Sequence, residues 1–335
     1  MSRFSLVIPL YRSEPNLPRL FEELRRLTTR VHMDFEVVFV IDGSPDRCAA
    51  ILAEAVPNLP FDSQVVDLSR NFGAFAAISA GLRHAQGDYL AVLAADLQEP
   101  PELALRFLEI LSSGKADVVF GTRAARADPV LSSLAASLFW SIYRRFVNPE
   151  IPRGGVDVFG CTRKVRDQLC QMREVETNLI ALLFWVGFRR SFVSYHRLPR
   201  SEGISAWTFA KKLRYSMNSI FGFTDLPIRL LLAVGAVGAI SALVLTLIVL
   251  IAWLMGTIKV LGYTPLMLSI VFFGGLTTLG LGIVGQYLWL CLQNARGRPA
   301  FIVNSIQSFR TRIAPGGQLH PPSQSNGATK DPSLS

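Results

Sequence analysis

Two long stretches without a single charge, residues 230–258 and 260–295, limit this chain more than any other feature. About 20 apolar residues cross the hydrocarbon core of a bilayer, and each stretch exceeds that. A pair of buried helices in a soluble domain is the competing reading, and the lengths argue against it. Gly262, Tyr263, Thr264 and Pro265 supply a turn between two transmembrane helices. Half of the residues are hydrophobic and the mean hydropathy is +0.34, a value soluble domains rarely reach. Lys211, Lys212, Arg214 and Arg229 precede the first stretch; Arg296, Arg298, Arg310 and Arg312 follow the second; only Lys259 lies between. The positive-inside rule then predicts both termini in the cytosol, hence a multi-pass protein of the inner or plasma membrane. Residues 207–223 mix Trp207, Phe209, Leu213, Met217, Ile220 and Phe221 with Lys211, Lys212 and Arg214. That pattern fits an amphipathic helix lying on the bilayer; an ordinary surface helix shows it too.

The net charge of +9 suits an acidic partner. No nucleic-acid motif is present, and the apolar content points to lipid instead. Cys48, Cys161, Cys170 and Cys291 show no CxxC spacing, so neither a zinc site nor a disulfide framework is expected. The apolar run at the N-terminus is too short for a signal peptide, so the first domain is expected in the cytosol.

Through residue 125, strand and helix signals alternate. Strands are predicted at 4–10, 35–41, 64–68, 89–93 and 117–120, and helices at 17–27, at 74–85 and after Pro100 and Pro101. Short apolar strands alternating with helices imply an α/β fold with a doubly wound sheet. Ligands bind such sheets beyond the carboxyl ends of the strands. Asp42, Asp96 and Arg123 each follow a predicted strand and should converge on one crevice. Beyond, the chain reads as a helix at 132–146, a glycine-rich stretch at 153–160 around Asp157, and a strand at 192–195. Pro, Gly, Ser and Gln dominate the tail, predicting disorder from about 314. The expected division is a cytoplasmic domain at 1–206, an interfacial helix at 207–226, two spans within 227–296 and a cytoplasmic tail at 297–335.

Four segments carry a resemblance: Val7-Ile8-Pro9-Leu10-Tyr11, Ile41-Asp42-Gly43-Ser44-Pro45-Asp46, Leu68-Ser69-Arg70-Asn71-Phe72-Gly73, and Ala95-Asp96-Leu97-Gln98-Glu99-Pro100-Pro101-Glu102. With Arg200 to Ser205, Trp207-Thr208-Phe209, the paired spans and Gly297-Arg298-Pro299, they resemble the family 2 inverting glycosyltransferases. The closer likeness is to polyprenyl-phosphate glycosyltransferases, including dolichol-phosphate mannose synthase and bacterial undecaprenyl-phosphate sugar transferases. It covers roughly residues 4 to 304. Order, spacing and the membrane ending make it specific; any one motif alone is weak.

The resemblance implies a GT-A-like mixed sheet, a nucleotide-sugar donor, a polyprenyl-phosphate acceptor, and Mg²⁺ or Mn²⁺ as cofactor. It places Pro9, Tyr11 and Glu14 at the base pocket. Asp42 contacts base or ribose, or else satisfies backbone amides as an Asx turn does. Asp96 takes the last position of the family's Asp-X-Asp motif and holds the metal, with Gln98 adding a carbonyl oxygen; helix capping is the alternative for Asp96. Arg123 pairs with the donor diphosphate or is structural. Asp157 and Arg163 match the acceptor side. A lipid phosphate is largely dianionic at neutral pH and needs little base catalysis, so Asp157 is cast as an orienting group before a base. Arg200 and Ser205 match a loop closing over phosphates. Arg70 and Asn71 match the family too, as loop-ordering residues, and His196 reads as a packed histidine.

Three positions that are polar in the family are apolar here: Ile41, Ala94 and Ala206. They leave two other readings open. One is a catalytically reduced membrane subunit that binds nucleotide or a partner enzyme. The other is a glycosyltransferase acting on a glycolipid hydroxyl, where Asp157 would serve as a true base. The product of the main reading is a lipid-linked sugar for cell-envelope glycans. Gly274, Gly275, Gly280, Gly282 and Gly285 permit close helix packing and a homo-oligomer.

Overall fold

The computed structural model describes residues 2–123, 151–152, 156, 158–172, 179–198, 263–313 and 319–320, with scattered positions between 228 and 255, helical through 251. Eight strands form one mixed sheet. They are β1 (Arg3–Leu10), β2 (Asp34–Ile41), β3 (Asp62–Leu68), β4 (Tyr89–Val92), β5 (Val118–Arg123), β6 (Val158–Thr162), β7 (Arg190–Tyr195) and β8 (Val303–Phe309). Their order is β7-β5-β6-β4-β1-β2-β3-β8. All run parallel to β1 except β6, which is antiparallel to both β4 and β5, and β8, antiparallel to β3. The expected doubly wound mixed sheet is therefore present.

The helices are α1 (Leu17–Thr28), α2 (Cys48–Ala55), α3 (Ala74–His84), α4 (Glu102–Ser112), α5 (Arg163–Gln171), α6 (Leu179–Trp185) and α7 (Tyr263–Ala295). Successive strand residues face opposite sides, so two cores form, one on each face of the sheet. Phe4, Leu6, Ile8 and Phe39 meet the α1 stripe Leu17, Leu20, Phe21, Leu24 and Leu27, with Leu52 of α2 and Phe107 of α4 in the same core. Val7, Val38, Val40 and Val66 meet Ala77 and Ala80 of α3 and Leu183 of α6 on the other face. Burial on both faces explains the near-continuous apolar runs of β1 and β2. The small residues of α3 have a steric reason: a Cβ on Gly81 would come within 2.3 Å of Val7 Cγ1. Ile41, which stands where the family has an acid, is 3% exposed in the first core.

Several expectations need correction. The end of the glycine-rich stretch, from residue 158, belongs to the central strand β6. Tyr263 and Pro265, expected in a turn, open α7; proline is tolerated in a first turn, whose N–H groups lack helical partners. The tail expected at 297–335 is not separate from the domain, because residues 303–309 form the edge strand β8. Past 314, Leu319–His320 pair antiparallel with Arg312–Ile313, so a short ladder exists where disorder was expected. Among the described residues one helical segment, Phe273–Ala295, is long and apolar enough to cross a membrane. Described helical positions in the earlier apolar stretch expose apolar side chains, including Val237, Ile240 and Leu247. The helix expected at 132–146 and the amphipathic helix at 207–226 lie outside the described residues.

Candidate active site

The loops following β1, β2, β3 and β4 gather at the carboxyl edge of the sheet. The first two are clasped together. The Arg12 N–H donates to Ser44 Oγ at 2.7 Å, the Ser44 hydroxyl donates to Asp46 Oδ1 at 2.6 Å, and the Glu14 N–H donates to Asp46 Oδ2 at 3.0 Å. Arg47 returns the contact through its N–H to Glu14 Oε2 at 3.0 Å and its Nε to Glu14 Oε1 at 2.9 Å. Burial pushes the Asp46 carboxyl up, but the bonds from Ser44, Glu14 and Cys48 outweigh it and hold the group below its ordinary range. Arg47 likewise holds the Glu14 carboxyl below its usual value. Glu14 thus sits at the expected edge, but its carboxylate is spent on Arg47. Arg12 is in the left-handed region at φ 52°, and its guanidinium lies 5.6 Å from the Tyr11 ring centre. Pro9 stands opposite Val40 near the end of β1, and both Pro9 and Tyr11 are half-buried.

Asp42, 3% exposed, ties the β3–α3 loop to the end of β2. Its Oδ1 accepts from the Phe72 N–H at 2.7 Å and its Oδ2 from the Gly73 N–H at 2.9 Å. Asn71 Nδ2 donates to the Asp42 carbonyl at 3.3 Å. Burial raises the Asp42 pKa, opposed by these two amides and by the charge of Arg70. The structural alternative for Asp42 is what the geometry displays, with amides supplied by a distant loop and not by an Asx turn. Gly43 follows at φ +55°, and a Cβ there would lie 2.2 Å from the Arg70 carbonyl carbon. Only glycine admits this approach. The Arg70 guanidinium stacks 4.1 Å from the Phe72 ring centre.

In the β4–α4 loop, Asp96 is half-buried, and Oδ1 accepts from the Gln98 N–H at 3.4 Å. Leu97, between them, is 3% exposed and adopts φ 50°. Gln98 reaches across to the segment after β7. Its Oε1 accepts from Arg197 Nη2 at 2.5 Å, its Nε2 donates to the Leu198 carbonyl at 3.4 Å, and the Leu198 N–H donates to the Gln98 carbonyl at 2.8 Å. Gln98, expected as a metal ligand, thus has its side-chain oxygen on Arg197 in this structure. Among the described residues no three His, Cys, Asp or Glu side chains are grouped to hold a metal. Arg123 ends β5, half-buried opposite Tyr195, at the same carboxyl edge.

Arg163, expected on the acceptor side, is placed elsewhere. Its Nη2 pairs with Asp88 Oδ1 at 3.2 Å and bonds the Gln86 carbonyl, and its N–H donates to the Asp88 carbonyl at 2.7 Å. Asp88 immediately precedes β4, and Thr162 pairs with Tyr89. Because β6 runs antiparallel, its carboxyl end lies at the amino edge of the parallel strands. Arg163 is therefore at the opposite end of the sheet from Asp96. Asp157, Arg200 and Ser205 lie outside the described residues.

Thus Pro9, Tyr11, Glu14, Asp42, Asp96, Gln98 and Arg123 share one edge. Asp46, Arg47 and Arg197 were missed as parts of it. Asp46 falls within the motif that supplied Asp42, but Arg197 carries no local signal for its bond to Gln98. One further element reaches this edge. Val303 of β8 pairs with Leu68, the last residue of β3, so the connection from α7 enters the domain here.

A mixed sheet with these loops at its carboxyl edge defines a GT-A-like domain. Residues 5–170 match the family described as glycosyl transferase family 2. The uncharacterized glycosyltransferase sll0501 of Synechocystis sp. is 31% identical over 303 residues, covering 90% of this chain and 95% of that protein. The bactoprenol glucosyl transferase of Shigella phage SfX is 30% identical over 307 residues, covering 90% of this chain and 99% of that protein. A solved structure, mannosyl-3-phosphoglycerate synthase from Rubrobacter xylanophilus, overlays with a TM-score of 0.46 at 17% identity, over 65% of this chain and 71% of that chain. The chain belongs to glycosyl transferase family 2.

Proposed function

We propose that this protein transfers a sugar from a UDP- or GDP-linked donor to a polyprenyl phosphate, with inversion, at the cytoplasmic face of the inner or plasma membrane. The observation that carries this reading is the shared edge: Tyr11, Asp42, Asp96 and Arg123 lie along the carboxyl edge of the sheet, the edge at which the connection from the apolar helix enters beside β3. The name of the Shigella phage relative supports a polyprenyl acceptor. In this reading residues 230–258 and 260–295 each supply a span, residues 207–226 lie on the bilayer, both termini are cytoplasmic, and copies associate through the glycine-lined span.

Pro9 and Tyr11 hold the base. Asp42 acts on the donor site by fixing the loop that carries Arg70 to Gly73. Arg123 and Arg200, with Ser205, bind phosphate oxygens, for which the guanidinium fork is suited. Asp157 orients sugar hydroxyls, and the phosphate oxygen of the lipid attacks the anomeric carbon as the nucleotide departs. Asp96, a hard carboxylate, would hold Mg²⁺ or Mn²⁺, with the Gln98 carbonyl oxygen joining it once released by Arg197. When bound, such an ion neutralises charge on the leaving diphosphate. The engagement of Gln98 by Arg197 favours one second reading, a nucleotide-binding subunit without turnover.

The test is lipid-product formation. Purified full-length chain is mixed with undecaprenyl phosphate, a panel of labelled nucleotide sugars, and Mg²⁺ or Mn²⁺. A labelled lipid that falls at least about 100-fold in Asp96→Asn is expected, the scale of losing charge stabilisation at a leaving group. Donor binding without product, for every donor, would establish the second reading instead.

A further inference from the structure

The register of β8 says more than where the chain re-enters the sheet. Helix α7 ends at Ala295 and β8 begins at Val303. The connection between them is anchored before the strand starts. Phe301 is 9% exposed in the core, with the Arg83 guanidinium 5.2 Å from its ring centre. The Ser69 N–H donates to the Ile302 carbonyl at 3.0 Å. Beyond, Asn304 Nδ2 donates to Asp67 Oδ2 at 2.8 Å and the Thr311 N–H donates to Asp62 Oδ1 at 2.8 Å. The clasp runs from the carboxyl end of β3 to its amino end.

A fully extended chain covers at most about 3.5 Å per residue, so Phe301 lies within about 20 Å of the end of α7. The headgroup layer itself occupies several ångströms beyond the hydrocarbon. The β3–α3 loop starts at Ser69, the residue bonded to Ile302. It carries exposed Arg70, stacked on half-buried Phe72 and braced through the two amides held by Asp42. The connection adds exposed Arg296 and Arg298. The acidic groups nearby are engaged: Asp42 by the loop amides and Asp67 by Asn304. Three arginines with a rigid aromatic therefore stand at the point where the apolar helix meets the domain.

We propose that this surface, made of Arg70 and Phe72 with Arg296 and Arg298, seats the domain on the headgroups of anionic phospholipids, so that the carboxyl edge faces the bilayer. The inference rests on the membrane reading given under the proposed function, and it assigns the contact to the β3–α3 loop. Attraction of this kind acts within about 10 Å of a charged surface.

The test uses the full chain with Cys170→Ser and Cys291→Ser, the two cysteines that are not buried. Burial pushes the Cys48 and Cys161 thiols up to about 12, which keeps them unreactive. A nitroxide is attached at Ala74→Cys, exposed at the start of α3, or at Lys115→Cys, exposed near the amino edge. The protein is embedded in phosphatidylcholine nanodiscs carrying a trace of nickel-chelating lipid, with and without phosphatidylglycerol. The label at 74 should relax several-fold more than the label at 115, and more again with phosphatidylglycerol. Neutralising Arg296 and Arg298 to Gln, with Arg70 kept because its charge favours the Asp42 carboxylate, should remove that added gain, by about fivefold in the docked population per arginine, with thermal unfolding unchanged. Equal relaxation at both sites overturns the proposal, as does a gain indifferent to lipid charge and to the neutralisation. Lipid-product formation is followed in parallel. Product with equal relaxation refutes the surface and leaves the transferase reading standing; docking without product from any donor does the reverse.

Discussion

Replacing Gly43 with alanine tests whether the approach of two loops shapes the site. The residue lies at φ +55°, where a Cβ costs about 1–2 kcal/mol. The larger effect is steric. The new methyl would stand 2.2 Å from the Arg70 carbonyl carbon and 2.4 Å from the Asn71 nitrogen, against 3.4–4 Å for ordinary contact. Both are backbone atoms, so no side chain can swing away. The loop must retreat by about an ångström, stretching the bonds from Phe72 and Gly73 to Asp42. Hydrogen bonds to a charged group are worth about 1.5–3 kcal/mol each, so losing one brings the total to about 4 kcal/mol. For a domain of this size that is a fall of about 8–16 °C in Tm. Gly114→Ala is the control: φ is +69° and nothing lies within 4 Å of its Cβ. It should lower Tm by only about 2–8 °C. The assay is thermal unfolding of the full chain in detergent, followed by intrinsic fluorescence. Equal shifts for the two variants would refute the steric argument and with it the loop tie.

Phe301→Ala should destabilise by about 3–5 kcal/mol, as large-to-small changes in a core do. Hydrogen exchange should show protection lost across 303–309, and retained protection there would detach Phe301 from the anchoring of β8. Arg197→Met should lower stability by about 1–3 kcal/mol, since it leaves the buried Gln98 oxygen without its charged donor; thermal unfolding reads it, and an unchanged Tm would mean the bond is not maintained in solution. Asp117 pairs with Arg189 at 2.9 and 3.2 Å, which holds its pKa below the ordinary value. A depressed carboxylate contributes stability above its unfolded pKa, near 3.9, and loses it as pH falls through the folded value. Asp117→Asn should therefore flatten the decline in stability below about pH 4, and an unaltered acid slope would rule the pair out as its source.

What the sequence disclosed follows from burial. Strands β1, β2 and β3 are covered on both faces, and their apolar runs announce them. The α1 stripe is legible for the same reason. The two strands that were not foreseen have different causes. Residues 158–162 are apolar enough for a strand, but glycines around Asp157 mask the pattern. β8 exposes most of its side chains, so it rests on backbone bonds to β3 and presents no hydrophobic period. At the site, motif order located the edge correctly for Asp42, Asp96 and Arg123, because each follows a parallel strand. Arg163 entered through the family resemblance and not through strand order, and the antiparallel direction of β6 puts it at the other edge.

Those two antiparallel strands also determine how the site relates to the rest of the chain. A sheet made only of parallel strands receives every chain segment at its amino edge and releases it at its carboxyl edge. β6 reverses this between β4 and β5, so the chain returns to the amino edge at Thr162, where Arg163 locks Asp88. β8 reverses it at the outer edge of β3. Its entry at Leu68 brings the apolar helix to the end of the sheet that bears Asp96, while an eighth strand parallel to β3 would have brought it to the end that bears Arg163. The direction of one largely exposed strand therefore brings the connection from the apolar helix to the sheet edge that bears the loops of the candidate site. Polar substitutions on its exposed face that preserve the ladder should leave this arrangement intact, whereas a proline at Gln307, directly opposite Val65, should disturb it by removing a backbone donor.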